Sequence, residues 1–482
     1  MSTSILIKDG ILVDANDSIK GDLLIEDGKI VAAEPKIDSS AAKQVLDAKG
    51  CYVMPGGIDP HCHMQLPFMG TVATDDFFTG TRAALAGGTT TQIDFVVPNP
   101  DQPMLDALKQ WSEWAAKACA DYSFHMAVTS WNDKTPAEMD AVVNKHGINS
   151  FKHFMAYKNA IMVDDEIMMN SFIQSRELGA ICLIHAENGE LVARKQQELL
   201  AKGITGPEGH PLSRPPEVEG EAANRAIVIA DEVGVPVYIV HTSCKPAVEA
   251  ISRARRKGMC VIGEALIGHL LVDDSVYWNK DWEFAAAHVM SPPFRAKGHQ
   301  QVLWDSVNNG DISVLGTDHC VFMNKQKANG KGDFTKIPNG TNGLQDRMHL
   351  FWNFGVNTGR ITMNQFVALT STNAARIFNM YPQKGSLLEG TDADVVVWDP
   401  KAHRTISVKE HLQNVDFNVF EGTKVTGINR WTIANGKIVF EDGKANVQEG
   451  AGKFVPRKPF APMFDNLRTR NKVREPQPVA RK

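Results

Sequence analysis

Residues 51–63 read CYVMPGGIDPHCH, an apolar run that ends in two histidines. We count seven further runs of similar character, and the segments between them are long enough to hold a helix. The seven are TTTQIDFVV, YSFHMAVTS, SFKHFMAY, AICLIHAEN, VPVYIVHTS, MCVIGEAL and ISVLGTDHC. Eight strands that alternate with helices favour a parallel barrel. The sequence therefore predicts an α/β fold with a (β/α)8 TIM-like barrel over residues 55–380.

The segments between these runs have the apolar spacing of amphipathic helices. Examples are PMLDALKQWSEWAAKACA, EAANRAIVIADEVG and KPAVEAISRARRKG, and the last two close with glycine, which is common just past a helix end. In a parallel barrel the active site lies at the C-terminal ends of the strands. The residues that end each run are therefore the first candidates for function.

The two ends of the chain resemble each other. Residues 4–34 and 392–443 contain short β-rich runs separated by Asp-Gly and Asn-Gly, which are strong hairpin signals. Because such strands need a sheet large enough to bury one face, we expect one small, discontinuous β-sandwich domain from residues 1–54 and 381–450. Residues 451–482 are polar and contain proline, so we expect a tail that is either mobile or, as we favour, an oligomer contact.

Charge and composition limit the partners. The 482 residues carry 51 basic and 56 acidic side chains. The net charge of -5 does not indicate a protein that binds nucleic acid or an anionic membrane. No apolar run approaches the roughly 18 residues of a membrane span, and the N-terminal sequence lacks the pattern of a signal peptide. The seven cysteines contain no CxxC pair and indicate no disulfide framework. We expect a cytoplasmic protein that acts on a small molecule.

Metal-capable side chains stand at the ends of several runs. His61 and His63 are two residues apart, so both leave the same face of an extended chain. His185, His241 and Asp318 follow the apolar parts of the fifth, sixth and eighth runs. A single His-x-His pair is a weak signal, but the coincidence of all five positions indicates a metal centre.

The other histidines and two cysteines have simpler interpretations. His125 lies inside its run and His153 points away from the predicted site, so both are predicted to pack. His319 is a candidate for supporting a ligand, because it adjoins Asp318 but points to the opposite side. Cys62 and Cys320 alternate with predicted ligands and are also interpreted as packing residues.

Lys152 stands in the apolar run SFKHFMAYK, where an unpaired ammonium would be costly to bury. It could reach water or pair with an acid. A chemical role is the third possibility. Four histidines and one aspartate exceed the needs of one tetrahedral zinc, but they suit two metals only if an anionic ligand bridges them. A neutral lysine amine can add carbon dioxide and become such a ligand, a carbamate.

These residues and their surroundings resemble a known family. GGIDPHCHMQLPFMG, SFKHFMAYK, HAENGEL, YIVHTS, GTDHC and IPNGTNGLQDRM are similar to motifs of the dihydropyrimidinase and hydantoinase branch of the cyclic amidohydrolases. The resemblance runs from residue 4 to residue 450, and HMQLPFMG and GITGPEGH are closer to the dihydropyrimidinases. It implies a homotetramer whose barrel holds two divalent metal ions, expected to be zinc, bridged by N6-carboxylysine at Lys152. Manganese and cobalt suit the same donors.

The resemblance also implies the roles of the individual residues. One ion would be held by His61, His63 and Asp318, the other by His185 and His241, with the Lys152 carbamate shared. A hydroxide between the metals would attack the substrate, and Asp318 would pass its proton to the leaving ring nitrogen. Tyr157 would donate a hydrogen bond to the oxyanion, although a buried aromatic with a satisfied hydroxyl is the alternative.

Substrate contacts are implied as well. Ser291 and Asn339 would meet the amide edge of the ring, largely through backbone groups, although both could be turn residues. The candidates for the wall around the ring substituent, or for barrel packing, are Leu66, Phe68, Phe154 and Ile161. Related dihydroorotases place an arginine shortly after the paired histidines to bind a carboxylate. Here the stretch MQLPFMG has no cation, which argues against a carboxylate-bearing substrate.

The predicted activity is the hydrolytic ring opening of 5,6-dihydrouracil and 5,6-dihydrothymine to N-carbamoyl-β-amino acids, as in reductive pyrimidine catabolism. The alternative within enzymes is a D-hydantoinase that opens 5-substituted hydantoins. The alternative from another class is a non-catalytic scaffold relative that has lost its metal ligands. This sequence keeps every ligand position of the family pattern, which argues against the scaffold.

Overall fold

The first five strands form half of a sheet in the computed structural model, which describes residues 4–459 and 463–481. They are β1 (Ser4–Val13), β2 (Ser18–Glu26), β3 (Lys29–Glu34), β4 (Gln44–Asp47) and β5 (Tyr52–Pro55). The Asp27-Gly28 turn joins β2 to β3, and both residues have positive φ, 45° and 83°, as tight hairpin turns require. β1 pairs antiparallel with β2 and in parallel with β4 and β5.

The barrel begins at β6 (Gly57–Cys62), and a short hairpin follows it, β7 (Pro67–Phe68) with β8 (Thr71–Val72). The other barrel strands of the described chain are β9 (Thr89–Val96), β10 (Asp121–Ala127), β11 (Ser150–Phe154), β12 (Ile181–His185), β13 (Val237–Ile239), β14 (Val261–Leu266) and β15 (Ile312–Gly316). Neighbouring strands pair in the order β15-β14-β13-β12-β11-β10-β9-β6, all in parallel. Nearly all of their residues are buried, as expected for parallel strands covered on both faces.

Backbone hydrogen bonds just beyond the strand ends close the barrel between β15 and β6. The amide of Asp318 donates to the carbonyl of His61 over 2.8 Å, and the amide of His63 donates to the carbonyl of His319 over 2.8 Å. The seam of the barrel therefore joins residues that are far apart in sequence and that include three of the predicted metal ligands.

Helices follow the barrel strands and cover the barrel from outside. Up to residue 377 they are α1 (Phe77–Ala86), α2 (Met104–Ala115), α3 (Thr135–Asn144), α4 (Asp165–Leu178), α5 (Gly189–Ala201), α6 (Gly209–Ser213), α7 (Pro216–Val233), α8 (Lys245–Arg256), α9 (Ile267–Leu271), α10 (Trp282–Ala287), α11 (His299–Asn309), α12 (Asn324–Lys327), α13 (Arg347–Phe351), α14 (Met363–Val367) and α15 (Asn373–Ile377). Shorter 3-10 turns lie at Ser39–Ala41, Asp274–Trp278, Ala328–Gly330 and Phe334–Lys336, and π-helical turns at Trp352–Val356 and Ala368–Thr372. In the part of the chain described, we find no helix long and apolar enough to cross a membrane.

The C-terminal strands complete the first sheet. They are β16 (Val395–Thr405), β17 (Lys424–Ala434), β18 (Lys437–Glu441) and β19 (Lys444–Ala445), and β16 pairs antiparallel with β5. Within the described residues this sheet has nine strands, ordered β19-β18-β17-β16-β5-β1-β2-β3 with β4 beside β1. The predicted fold class, a (β/α)8 barrel with a small β domain built from both chain ends, is confirmed. The domain limits 1–54, 55–380 and 381–450 remain a proposal.

The described residues beyond 450 return to the barrel. The ring of Phe454 lies against that of Tyr122, with 5.8 Å between the centroids. The last helix, α16 (Met463–Val473), and the residue after it pair their arginines with acidic side chains near the end of α7. The described part of the tail up to Arg474 therefore contacts its own chain, and the predicted contact with another subunit stays a prediction.

Candidate active site

A pocket opens where the barrel strands end. It is lined by the six predicted metal ligands (His61, His63, Lys152, His185, His241 and Asp318), by Tyr157, Ser291 and Asn339, and by Leu66, Phe68, Val97, Phe154, Ile161, Cys320 and Gly340. The structure thus brings every predicted site residue to one place. The location agrees with the rule that parallel barrels carry their sites at the C-terminal ends of the strands.

The first group of donors consists of His61, His63 and Asp318. The Nε2 atoms of His61 and His63 lie 3.0 Å and 3.1 Å from Asp318 Oδ1, and the three potential ligand atoms all lie within 4.8 Å of one another. Apart from Asp318, His61 Nε2 has no polar partner in the described structure. Burial opposes ionisation of Asp318, yet the two histidines hold its pKa well below the usual range. This is a converging set of nitrogen and oxygen donors of the kind that divalent metals bind.

The second group consists of His185 and His241, at the ends of two adjacent strands. His185 Nδ1 lies 2.9 Å from His241 Nε2, and their ring centroids are 4.5 Å apart. The ring of His241 also stacks on that of His61, with 5.3 Å between the centroids. The two groups are therefore contiguous, but the second supplies only a pair of protein donors in the described chain.

Lys152 lies between the two groups. Its side chain is 1% exposed, and Nζ is 4.7 Å from the ring centroid of Phe95 and 5.1 Å from that of Phe154. The ring of Phe95 also packs on His61, and that of Phe154 on His185. We find neither an ion pair nor a hydrogen bond for Nζ among the described residues, so neither ordinary explanation for a buried lysine applies. Burial lowers the pKa of Lys152 to about 8, which makes the neutral amine accessible.

Three of the polar residues in the pocket have a strained backbone. His241, Asp318 and Tyr157 have φ of 37°, 52° and 64°. Residues other than glycine rarely adopt this left-handed backbone region, and each instance costs on the order of 1 to 3 kcal/mol. Other non-glycine residues with positive φ occur elsewhere in the described chain, but these three also line the pocket, and strained residues are common at functional sites.

Two buried glutamates orient the histidines, and the sequence interpretation missed both. Glu264 Oε1 accepts from His61 Nδ1 over 2.7 Å and from the amide of His241 over 2.8 Å. Glu187 Oε2 accepts from His185 Nε2 over 2.8 Å and from Arg214 Nη1 over 2.7 Å. The two bonds to imidazole rings use the nitrogen that points away from the other donors, His61 Nδ1 and His185 Nε2. Each bond favours the tautomer in which the other ring nitrogen carries no proton.

The sequence carried a signal for these glutamates. Glu264 interrupts the apolar run MCVIGEAL, and Glu187 follows His185 by two residues in HAENGEL, on the alternate position that shares its face. A carboxylate inside a buried strand needs a partner, so its position predicts a hydrogen-bonded or ionic contact. Which partner it meets depends on strands from other parts of the chain.

Tyr157, Ser291 and Asn339 form one side of the pocket. The Tyr157 hydroxyl interacts with the side chains of Ser291 and Asn339, and Asn339 Nδ2 donates to Ser291 Oγ over 2.9 Å. Burial raises the pKa of the Tyr157 phenol, while Arg214 opposes that shift. The phenol therefore keeps its proton at neutral pH and can donate a hydrogen bond into the pocket.

Another part of the pocket lining is apolar, and two of its rings, those of Phe68 and Phe154, contact the ring of Tyr157. Leu66, Phe68, Phe154 and Ile161 all line the pocket, as the sequence suggested for the wall around a ring substituent. Cys320 packs in the apolar core as expected, but it also lines the pocket. The chain bends after the strained Asp318, so strict alternation of side chains does not continue past the strand end.

The other sequence candidates lie outside the pocket and have their own partners. His319 Nε2 pairs with Asp75 over 2.8 Å, His125 Nδ1 with Ser150 Oγ over 2.6 Å, and His153 Nε2 with Ser171 Oγ over 2.8 Å. Cys62 is fully buried behind the histidine pair. These residues support the barrel without facing the donors.

The chain is similar to known proteins over most of its length. The Amidohydrolase family model matches residues 52–439. A dihydropyrimidinase of Dictyostelium discoideum is 51% identical over 473 residues, 98% of this chain and 94% of that protein, and one of Rattus norvegicus is 49% identical over 484 residues, 99% and 93%. A D-hydantoinase of Geobacillus stearothermophilus is 44% identical over 461 residues, 95% and 98%. The crystal structure of a dihydropyrimidinase from Brevibacillus agri matches with a TM-score of 0.93 at 44% identity, covering 96% of this chain and 100% of that one.

The chain therefore belongs to the amidohydrolase family, in the branch of the dihydropyrimidinases and hydantoinases. The resemblance noted from the motifs is confirmed, and with it the expectation of a hydrolase.

Proposed function

We propose that the protein is a dihydropyrimidinase that hydrolyses 5,6-dihydrouracil and 5,6-dihydrothymine to N-carbamoyl-β-amino acids. The observation that carries this proposal is the buried Lys152 amine between the two donor groups, beneath a small pocket with an apolar wall and one polar edge. The relatives named dihydropyrimidinase, which match nearly full length, support the same reading.

The donor set fits two divalent metal ions, as we propose, with zinc the first candidate. His61, His63 and Asp318 suit one ion outright, because their ligand atoms lie within 4.8 Å of one another. His185 and His241 would hold a second ion only with a further anionic ligand. We propose that Lys152 supplies it as N6-carboxylysine, for which an unpaired amine with a lowered pKa is well prepared. When bound, the two ions would supply hydroxide at neutral pH and polarise the ring carbonyl.

Asp318 and Tyr157 are the proposed catalytic residues. Asp318 is ionised, faces the donors and the pocket together, and is the carboxylate placed to take up a proton and deliver it to the leaving ring nitrogen. Tyr157 keeps its phenolic proton and points it at the same pocket, where a hydrogen bond to the developing oxyanion would lower the barrier.

Ser291 and Asn339 are the proposed substrate-binding residues. Both are nearly buried and face the pocket, and their side chains already hydrogen-bond each other. By resemblance to the family, their backbone groups would supply most of the contact with the N–H and C=O edge of a cyclic amide. Dihydrouracil and hydantoin share that edge, so this contact defines the class of substrate and leaves the ring size to the apolar wall.

The pocket also favours an uncharged ring. Lys152 is the only lysine or arginine lining it in the described chain, and the proposed carbamate would reverse its charge. A substrate carboxylate would lose its hydration without gaining a cationic partner, a penalty of several kcal/mol. At about 1.4 kcal/mol per factor of ten, dihydroorotate should be at least about a thousandfold poorer than dihydrouracil.

The second candidate is a D-hydantoinase, and one observation favours it specifically. A protein of that name matches this chain almost end to end at 44% identity. The apolar wall of Leu66, Phe68, Phe154 and Ile161 would accept a substituent on a five-membered ring. A non-catalytic scaffold is disfavoured because every predicted donor faces the pocket. A cytoplasmic location and a homotetramer are part of the proposal by resemblance.

The test is kcat/KM for dihydrouracil, dihydroorotate and a 5-aryl hydantoin under one metal condition. We expect dihydrouracil to exceed the aryl hydantoin, and dihydroorotate to be turned over very poorly. A preference for dihydroorotate would overturn the charge argument. A strong preference for the aryl hydantoin would favour the second candidate.

A further inference from the structure

A buried lysine stands behind the polar side of the pocket. Lys327, the last residue of α12, is 0% exposed. Its Nζ donates to the backbone carbonyls of Val289, Pro338 and Gly340 over 2.8, 2.7 and 2.7 Å. Within the described chain no carboxylate lies within ion-pairing distance of it. The acceptors match the three protons of an ammonium group.

These carbonyls belong to the two segments that carry the proposed substrate-binding residues. Val289 precedes Ser291 by two residues, and Pro338 and Gly340 stand on either side of Asn339. The segments also contact each other directly, because the amide of Gly340 donates to the carbonyl of Val289 over 2.9 Å. Lys327 thus bonds to both segments without itself lining the pocket.

Burying Lys327 costs more free energy than a contact that only fills space would need. An ammonium without a counter-ion is costly to bury, and burial lowers the pKa of Lys327 to about 7. An apolar side chain could fill the same space without that cost, but it could not hold three carbonyls that converge and repel one another. The ammonium therefore allows a backbone geometry that the segments would not keep without it.

We propose that Lys327 is a positioning residue of the substrate site. Its ammonium holds residues 289–291 and 338–340 at the spacing at which the backbone groups of Ser291 and Asn339 bind the amide edge of the ring. This inference rests on the proposed function and adds a residue that never touches the substrate. Because the amide edge is bound in the ground state and the transition state alike, losing this geometry should raise KM more than it lowers kcat.

The experiment compares Lys327→Met, which keeps the unbranched stem up to the ε position and loses every donor, with Lys327→Gln, which keeps two donors. The matched control is Lys325→Met on the same short helix, where the side chain is exposed. For dihydrouracil we expect KM to rise at least about tenfold in Lys327→Met and less in Lys327→Gln, with kcat within about threefold and metal content unchanged. Lys325→Met should match the wild type in all three quantities.

Hydrogen exchange provides a readout that does not need turnover. Peptides covering residues 289–291 and 338–340 should exchange faster in Lys327→Met, while peptides from the barrel strands keep the wild-type rate. This readout also separates two kinds of failure. A wild-type protein that opens no cyclic amide would defeat the proposed function, whereas unchanged exchange in these segments would defeat the positioning role.

Further outcomes would overturn the proposal. A fall in kcat with unchanged KM would place Lys327 in catalysis rather than binding. Loss of soluble protein in both Lys327 variants, or a uniform rise in exchange over the whole barrel, would make it a core residue only.

Discussion

The two donor groups in the pocket differ in what the protein itself supplies. His61, His63 and Asp318 converge within 4.8 Å and offer three donors that could hold one divalent ion. His185 and His241 face each other at 2.9 Å, and the carboxylate that bonds His185, that of Glu187, contacts its other ring nitrogen rather than the one that faces His241. Lys152 lies between the two groups with an unpaired amine. On the proposed assignment, the second group needs a ligand that no unmodified side chain provides, whereas the first group already has three donors.

The largest expected effect comes from removing Lys152. Lys152→Ala should retain about one metal ion per chain, in the first group, and lose the second. Activity should fall by at least about a thousandfold, because the variant lacks both the proposed bridging ligand and one of the two proposed ions that would supply hydroxide and polarise the carbonyl. Activity assays together with metal analysis by mass spectrometry would measure both quantities.

Lys158→Ala is the matched control. Lys158 lies six residues away, is partly exposed and pairs with Glu190 over 2.5 Å, so we expect normal activity and metal content. Near-normal turnover with two bound ions in Lys152→Ala would show that the second group does not need Lys152 to bind its ion.

The next effect separates two duties of Asp318. Asp318→Asn keeps an oxygen donor and the neighbouring histidines, so some metal should remain in the first group. It cannot take up a proton, and general acid-base transfer is typically worth about a hundredfold to ten-thousandfold. The loss in kcat should fall in that range. A metal-replete variant with more than a tenth of wild-type activity would assign proton transfer to another residue.

A smaller effect distinguishes the supporting glutamates. Glu187 contacts only His185 of the second group, whereas Glu264 contacts His61 and the backbone of His241 and so serves both. Glu187→Gln should lower the affinity for the ion of the second group by about 10-fold to 100-fold and leave the affinity for the other ion unchanged. Glu264→Gln should lower both affinities. Competition with a chelator, followed as two separate release phases, would measure this. An equal loss of affinity for both ions in Glu187→Gln would show that the two groups are not independent.

The sequence predicts much of this architecture because parallel strands present their C-terminal ends together. That rule placed His185, His241 and Asp318 in one site, although they come from different parts of the chain. The spacing of His61 and His63 then located the first strand of the same site.

Other features could not be predicted in the same way. Glu264 and Lys327 act through partners that lie more than ten residues away in sequence and become neighbours only when the barrel closes. Cys320 lines the pocket because the backbone at Asp318 adopts a positive φ, which ends the alternation of a strand. Such contacts depend on tertiary geometry, which periodicity and local propensity do not contain.

The most direct test of the Lys152 carbamate is reconstitution of metal-free protein with zinc, with and without bicarbonate. In buffer freed of carbon dioxide, we predict that the chain binds about one ion and has little activity, because only the first group is complete. Added bicarbonate should bring the second ion and full activity together, and neither should appear in Lys152→Ala. Two tightly bound ions and full activity without carbon dioxide would contradict the carbamate bridge.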